Sequence, residues 1–259
     1  MLRSLMAVAA LPLIFGSACA TQSSTDELAG ETAADNVADG KADGAVDGAY
    51  TYFQVSADLR KCLSPVCGGY FMARVNRSTT VCANGSSAAS CYVPQLDWTE
   101  AHLRDDQQAK LLDAASQDAT SDGVRALVRG RFASKTYPGH GNLGRFVVTE
   151  AWVAETSAVS GGVFVRVRDG GVRCIAAPCA STIEKGLNIS RSAMIAEIDW
   201  SPAGLSSNEI QGFVDDLFTP SGAIIAGDRY TVTEAGRHAK GRTATAAFHR
   251  LADPTATAP

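Results

Sequence analysis

Beyond residue 20 the chain lacks any apolar run approaching the roughly 20 residues that a membrane-spanning helix needs. Histidine is scarce as well: His102, His140, His238 and His249 are the four, and they stand far apart with no H-E-x-x-H spacing. No serine sits in a G-x-S-x-G elbow, and no cysteine pair has the C-x-x-C spacing of a redox couple. These absences remove the signatures of metallopeptidases, serine hydrolases and thiol oxidoreductases, so the expectation is a non-enzyme without a cofactor. A basic excess is missing too. Seven of the 27 acids and Lys41 lie in residues 21–49, and without that segment and Arg3 the remainder holds 20 acids against 21 bases. Nucleic-acid-binding modules carry a strong basic excess, so that class is set aside. No feature points to an oligomer.

What is present begins with an address. Residues 1–20 combine Arg3, an apolar stretch from Leu5 to Phe15 and the small residues of "GSACA", the pattern of a secretory signal. Two readings of its end are open. "FGSAC" resembles a bacterial lipobox, which would make Cys19 an acylated N-terminus, and Ala20 after it resembles lipoproteins sorted to an outer membrane. Alternatively Ala18 and Ala20 form an ordinary cleavage site that releases a periplasmic or secreted protein. Residues 21–49 hold no aromatic residue, and Asp35, Asp39, Asp43 and Asp47 recur every four positions. Such a segment cannot bury enough apolar surface to offset its ordering entropy, and it reads as an acidic tether. The aspartates lack the alternating oxygens and closing Glu of an EF-hand loop. Residues 253–259 read as a flexible tail.

Either cleavage leaves six cysteines. An even set at short spacing in an exported chain reads as three disulfides. "CLSPVC" (Cys62–Cys67) and "CIAAPC" (Cys174–Cys179) are near-twins, and matched spacings flank them: Val55 and Val167 lie seven residues before, Asn76 and Asn188 nine after. Both stretches then reach an apolar-Asp-Trp-hydroxyl signature, "LDWT" at Leu96 and "IDWS" at Ile198. The first is longer by ten residues and contains the additional pair Cys82 and Cys91. A pair that arrives with an insertion most simply closes it, so the expected pairing is Cys62–Cys67, Cys82–Cys91 and Cys174–Cys179. Zinc held by four cysteines would need two clasps face to face in a reducing compartment, and no metal is expected. Asp97 and Asp199 beside Trp98 and Trp200 suggest local bonding at a helix entrance rather than a carboxylate pair.

Each stretch continues through a helical segment with one apolar face (Leu103, Leu111 and Leu112; Ile210, Phe213, Val214 and Leu217) and two further strands that carry Gly130 and Gly227. Ser206 and Glu209 have capping-box spacing. The order of three strands, a helix and two strands predicts two tandem five-stranded OB-like barrels, residues 50–155 and 161–252, with an α+β open sheet carrying one packed helix as the alternative. Arg125, Arg129 and Arg131 fall on one side of a strand and form a candidate contact face for an anion or a partner.

The clasp, the strand ending in Asn and the apolar-Asp-Trp motif together resemble a bacterial family of exported domains of unknown function, often found on lipoproteins. The resemblance implies export and domain limits, and carries no activity or catalytic residue. The functional expectation is a non-catalytic envelope lipoprotein that binds a protein, peptide or glycan, with an exported peptidase inhibitor presenting a clasp loop as the alternative.

Overall fold

The computed structural model describes residues 51–120, 123–155 and 159–251. The leader with Cys19, the tether and the tail lie outside the described residues. Strands β1 (Thr51–Ala57) and β2 (Tyr70–Arg74) flank the first clasp. After them come β3 (Thr80–Val81), β4 (Ser87–Ala88), β5 (Cys91–Val93), β6 (Leu96–Asp97) and helix α1 (Asp105–Asp118). Strands β7 (Ala126–Ala133), β8 (Thr136–Tyr137), β9 (Gly141–Asn142) and β10 (Arg145–Ala154) complete the first half. The second half begins with β11 (Val163–Asp169), β12 (Thr182–Gly186), β13 (Ser192–Ile195), β14 (Glu197–Asp199) and helix α2 (Ser207–Leu217). It ends with β15 (Ala223–Gly227), β16 (Arg229–Glu234), β17 (Arg237–Thr243) and β18 (Ala246–Leu251).

The two expected barrels are not there. One 11-stranded sheet runs β13-β12-β11-β15-β18-β10-β7-β1-β2-β5, with β6 added beside β10, and among the described residues the sheets stay open. The open antiparallel sheet with one packed helix per half is the better description. The reason lies in the last strand of each half. In the first half β1 lies between β2 and β7, while β10 pairs with β7 on one edge and, on the other, with β6 at Phe146–Val147 and with β18 at Ala151–Ala154, so the sheet continues into the second half. The β10–β18 register is self-complementary: Trp152 faces Arg250, Ala154 faces Phe248, and Val153 faces His249.

Corresponding residues occupy corresponding places in the two halves. Val55 faces Met72 in the first clasp hairpin, and Val167 faces Glu184 in the second. Gly130 and Gly227 mark the closest backbone approaches. A Cβ on Gly130 would lie 2.1 Å from the Val147 carbonyl oxygen, and one on Gly227 would lie 1.8 Å from that of Thr243. The halves differ beyond this point: β7 and β10 run on with a bulge between Val148 and Glu150, while the second half breaks into β15 and β16, and β17 and β18. Strand β14 then pairs with β17 in a separate three-stranded sheet.

Alternation along the strands sorts the core into layers. On one face Phe53, Val55, Ala151 and Val153 pack with Leu111, Ala114 and Ala115 of α1. Val163, Val165 and Val167 meet Phe213 of α2. On the other face Tyr52, Leu127, Trp152, Phe164, Ile224 and Phe248 form a core drawn from both halves. Helix α1 starts at Asp105, later than its apolar pattern suggests, because a turn from Trp98 to Ala101 and the positive φ of His102 precede it. Its first turn carries Asp105 and Asp106, which favour the positive helix end. Helix α2 opens with the expected capping box: Ser206 N–H donates to Glu209 Oε2 at 2.7 Å, and Glu209 N–H to Ser206 Oγ at 3.4 Å.

The two asparagines that mark the spacing join the halves. Asn188 is buried, has φ 57°, accepts from Tyr52 N–H at 2.9 Å and donates to the carbonyls of Tyr52 at 2.7 Å and Val75 at 3.0 Å. Asn76, at φ 55°, accepts from Phe164 N–H at 2.9 Å and donates to the carbonyls of Phe164 at 2.7 Å and Leu187 at 2.9 Å. Each amide therefore bonds the first strand of the opposite half. The sheet curls until β1 and β11 approach, and side chains span them where no backbone ladder forms. Asparagine suits the place because it tolerates the left-handed conformation and offers a donor and an acceptor together.

Candidate functional site: the two clasp loops

Disulfides join Cys62 to Cys67, Cys82 to Cys91 and Cys174 to Cys179. The first and third close the loops at the ends of the β1–β2 and β11–β12 hairpins. Strand neighbours from β1 to β11 are antiparallel at each of five steps, so β1 and β11 run in opposite directions. Their clasps consequently stand at opposite ends of the sheet, each distal to the asparagine bridge.

Both clasps place apolar side chains in water. Eight large apolar side chains are exposed among the described residues, and six of them cluster here: Leu59, Leu63 and Val66 at the first clasp, and Val172, Ile175 and Phe218 at the second. Scattered exposed aliphatics are ordinary on a protein surface, but a concentration at two loop tips is not. Leu63 and Ile175 follow the first cysteine of their clasps and are the most exposed, at 85% and 108% of the reference area. A basic residue precedes that cysteine in each, Lys61 or Arg173.

The loop bases are held in place. Asp58, buried, accepts from Arg60 N–H at 3.0 Å and from Arg60 Nε and Nη2 at 2.8 Å each. Its carboxyl is held below the ordinary range chiefly by that guanidinium hydrogen bond. Arg60 also donates to the Val66 carbonyl at 3.1 Å and lies over the rings of Phe71 and Tyr92. Tyr92 Oη donates to the Pro65 carbonyl at 2.8 Å. Arg173 anchors the second clasp to Asp169 at 2.9 Å, and a cleft of about 370 Å³ opens beside it between Val172, Thr182, Leu217 and Phe218. These anchors leave the tips projecting.

The other candidate residues have local partners. Asp97 accepts from the Thr99 hydroxyl at 2.7 Å and N–H at 3.1 Å, and Asp199 from Ser201 N–H at 3.0 Å; hydrogen bonds from Thr99 and Ser201 lower both carboxyls. Trp98 and Trp200 pack against the cores beside α1 and α2. Of the arginine face, Arg129 pairs with Glu150 at 3.0 Å and Arg131 with Glu100 at 2.7 Å. Arg125 gives its backbone N–H to Asp118 at 2.6 Å. Of the four histidines, His249 stacks on Phe213 and bonds Asp216 at 2.5 Å, and His238 bonds Thr233 at 2.9 Å. Among the described residues no group of three or more His, Cys, Asp or Glu is arranged to hold a metal.

Two polar sites were not anticipated. Arg242 and Glu184 are fully buried and joined by Nε to Oε2 at 2.6 Å, Arg242 Nη1 donates to the Gly227 carbonyl at 2.6 Å, and Arg229 also pairs with Glu184. The same three places in the first half hold Met72, Phe146 and Phe132, so the cluster is an ionic version of an apolar core. The only trace in the sequence is a charge where the matching stretch has an apolar residue. The second is Asp118 at the end of α1, whose carboxylate takes the N–H groups of Arg125 and Ala126. Burial pushes it up to about 6.

Residues 51–253, spanning both halves, match the model of a family described as Domain of unknown function (DUF6748). The chain belongs to that family. No curated protein and no solved structure matches it. The DUF6748 match treats both clasp hairpins as parts of one unit, in keeping with the shared sheet and the core that both halves supply.

Proposed function

We propose that this DUF6748 protein is a non-catalytic binding component of a bacterial cell envelope, exported by residues 1–20 and held at an outer membrane by an acyl group on Cys19. The tether 21–49 gives the folded part reach, and the internal repeat presents two clasps as contact elements. The observation that carries this reading is the gathering of exposed apolar side chains at the two disulfide-closed tips. Such groups gain by being removed from water, about 25 cal/mol per Å², and the anchored loop bases reduce the entropy lost on contact. Disulfides are consistent with an exported location.

The test places a photo-crosslinking side chain at Leu63, at Ile175 or at exposed Val81 in cells. Products at positions 63 and 175 and none at 81 are expected; equal labelling at all three overturns the assignment of the tips. Intact mass of the membrane-extracted protein, with and without reductant, checks the acyl group on Cys19.

Inhibition of a peptidase is the second reading, favoured by the full projection of Ile175 beside Arg173. The first clasp suits it less. Val66 N–H donates to the Leu63 carbonyl at 3.3 Å, turning the chain back directly after its exposed residue, whereas a peptidase cleft holds its ligand extended. Loss of endopeptidase inhibition on Ile175→Asp would support this reading for the second clasp.

A further inference from the structure

We propose that the first clasp, Leu59–Cys67, is a docking loop for an anionic lipid surface. The inference rests on the reading of the clasps as contact elements and names what the first of them meets. Its tip combines three exposed aliphatic side chains, Leu59, Leu63 and Val66, with Lys61 between them. From residue 59 to residue 67 there is no acid, and the neighbouring Asp58 is buried and neutralised by Arg60. An apolar apex beside a net positive charge is a combination that partitions at the boundary between anionic head groups and acyl chains. The disulfide and the Leu63–Val66 turn keep the apex compact, and Arg60 and Tyr92 bond the carbonyls of Val66 and Pro65.

Chain length agrees. The segment between Cys19 and Thr51 has 31 residues, a length of chain that reaches at most about 100 Å. Strand β1, which starts where the tether joins, carries the clasp away by about 23 Å at its seven residues. A membrane that holds Cys19 is therefore within reach of Leu63. The antiparallel relation of β1 and β11 points the second clasp away from that surface, so one tip meets lipid at a time. Lys61 favours the first, since the cation at the second tip, Arg173, is bonded to Asp169.

The experiment uses the leaderless chain, residues 21–259, with its disulfides intact and no acyl group. Sedimentation with vesicles of phosphatidylethanolamine and phosphatidylglycerol is compared with phosphatidylcholine vesicles. Binding to the anionic vesicles is expected. Leu63→Asp should weaken it about tenfold or more, the scale of withdrawing one leucine from an apolar environment. Lys61→Gln should weaken it about fivefold on anionic vesicles only, the scale of one cation near such a surface. Val81→Asp, exposed elsewhere, should change nothing. Equal binding by wild type and Leu63→Asp, or no binding to either vesicle, overturns the lipid assignment. If position 63 nevertheless crosslinks in cells to a protein, the contact role stands and its partner is a protein.

Discussion

Replacing Asn188 by alanine removes the bridge between the halves at one of its two ends. Three hydrogen bonds disappear. Tyr52 N–H is left buried without its acceptor, which costs about 1–3 kcal/mol. The bonds to the Tyr52 and Val75 carbonyls are worth about 0.5–1.5 kcal/mol each, toward the low end for Tyr52, whose carbonyl keeps Val75 N–H at 3.1 Å. Alanine held at the φ of 57° adds about 1 kcal/mol that asparagine largely avoids. The sum is about 4 kcal/mol, a large share of the 5–15 kcal/mol typical of a folded protein. Urea unfolding with intact disulfides measures it as a drop in midpoint at unchanged slope. Asn188→Gly keeps the backbone conformation and should lose about 1 kcal/mol less. Because the bridge ties β1 to the opposite half, both halves should unfold in one transition. A loss below about 1 kcal/mol, or separate transitions in the wild type, would refute the reasoning.

Other outcomes follow from single features. Glu184→Gln should cost about 3–5 kcal/mol by leaving Arg242 buried without its countercharge, whereas the triple change Glu184→Met, Arg229→Phe and Arg242→Phe, which copies the first half, should be neutral or stabilising by about 1–4 kcal/mol; equal losses in both would show that the halves are not equivalent there. Asp118 titrates near 6 in the fold against an ordinary value near 4, so its contribution is full below pH 4 and is lost as pH rises towards 6. The stability difference between wild type and Asp118→Asn should therefore shift against the wild type from pH 4 to 6 and stay level above 7, and a constant difference in urea midpoints contradicts this. Gly227→Ala, whose methyl group would meet the Thr243 carbonyl, should cost about 3 kcal/mol or more; thermal unfolding reads it directly.

The clasps, the six paired cysteines, the helix α2 cap and the order of elements were legible because each depends on neighbours close along the chain. Asn76 and Asn188 were visible as matched spacings, but their partners lie on strands far away in sequence, and spacing carries no sign of them. Leu63 and Ile175 could have been found from the aliphatic residue after the first cysteine in both clasps. The Arg242–Glu184 pair left a fainter mark: charges in β12 and β17 where the first half has Met72 and Phe146. The arginine face showed the limit of alternation, which assigns a side but not the carboxylates of Glu150 and Glu100 that wait there.

Local spacing along this chain settles what loops can close and where helices start, since a five-residue disulfide loop or a capping box involves few competing arrangements. It does not settle which edges meet. Alternating strands such as β10 and β18 offer the same edge groups and the same sequence pattern whether they pair only within their own half or also with each other. Only the folded arrangement decided for the second, joining two halves into one sheet, turning the two asparagines into its bridge and sending the clasps to opposite ends.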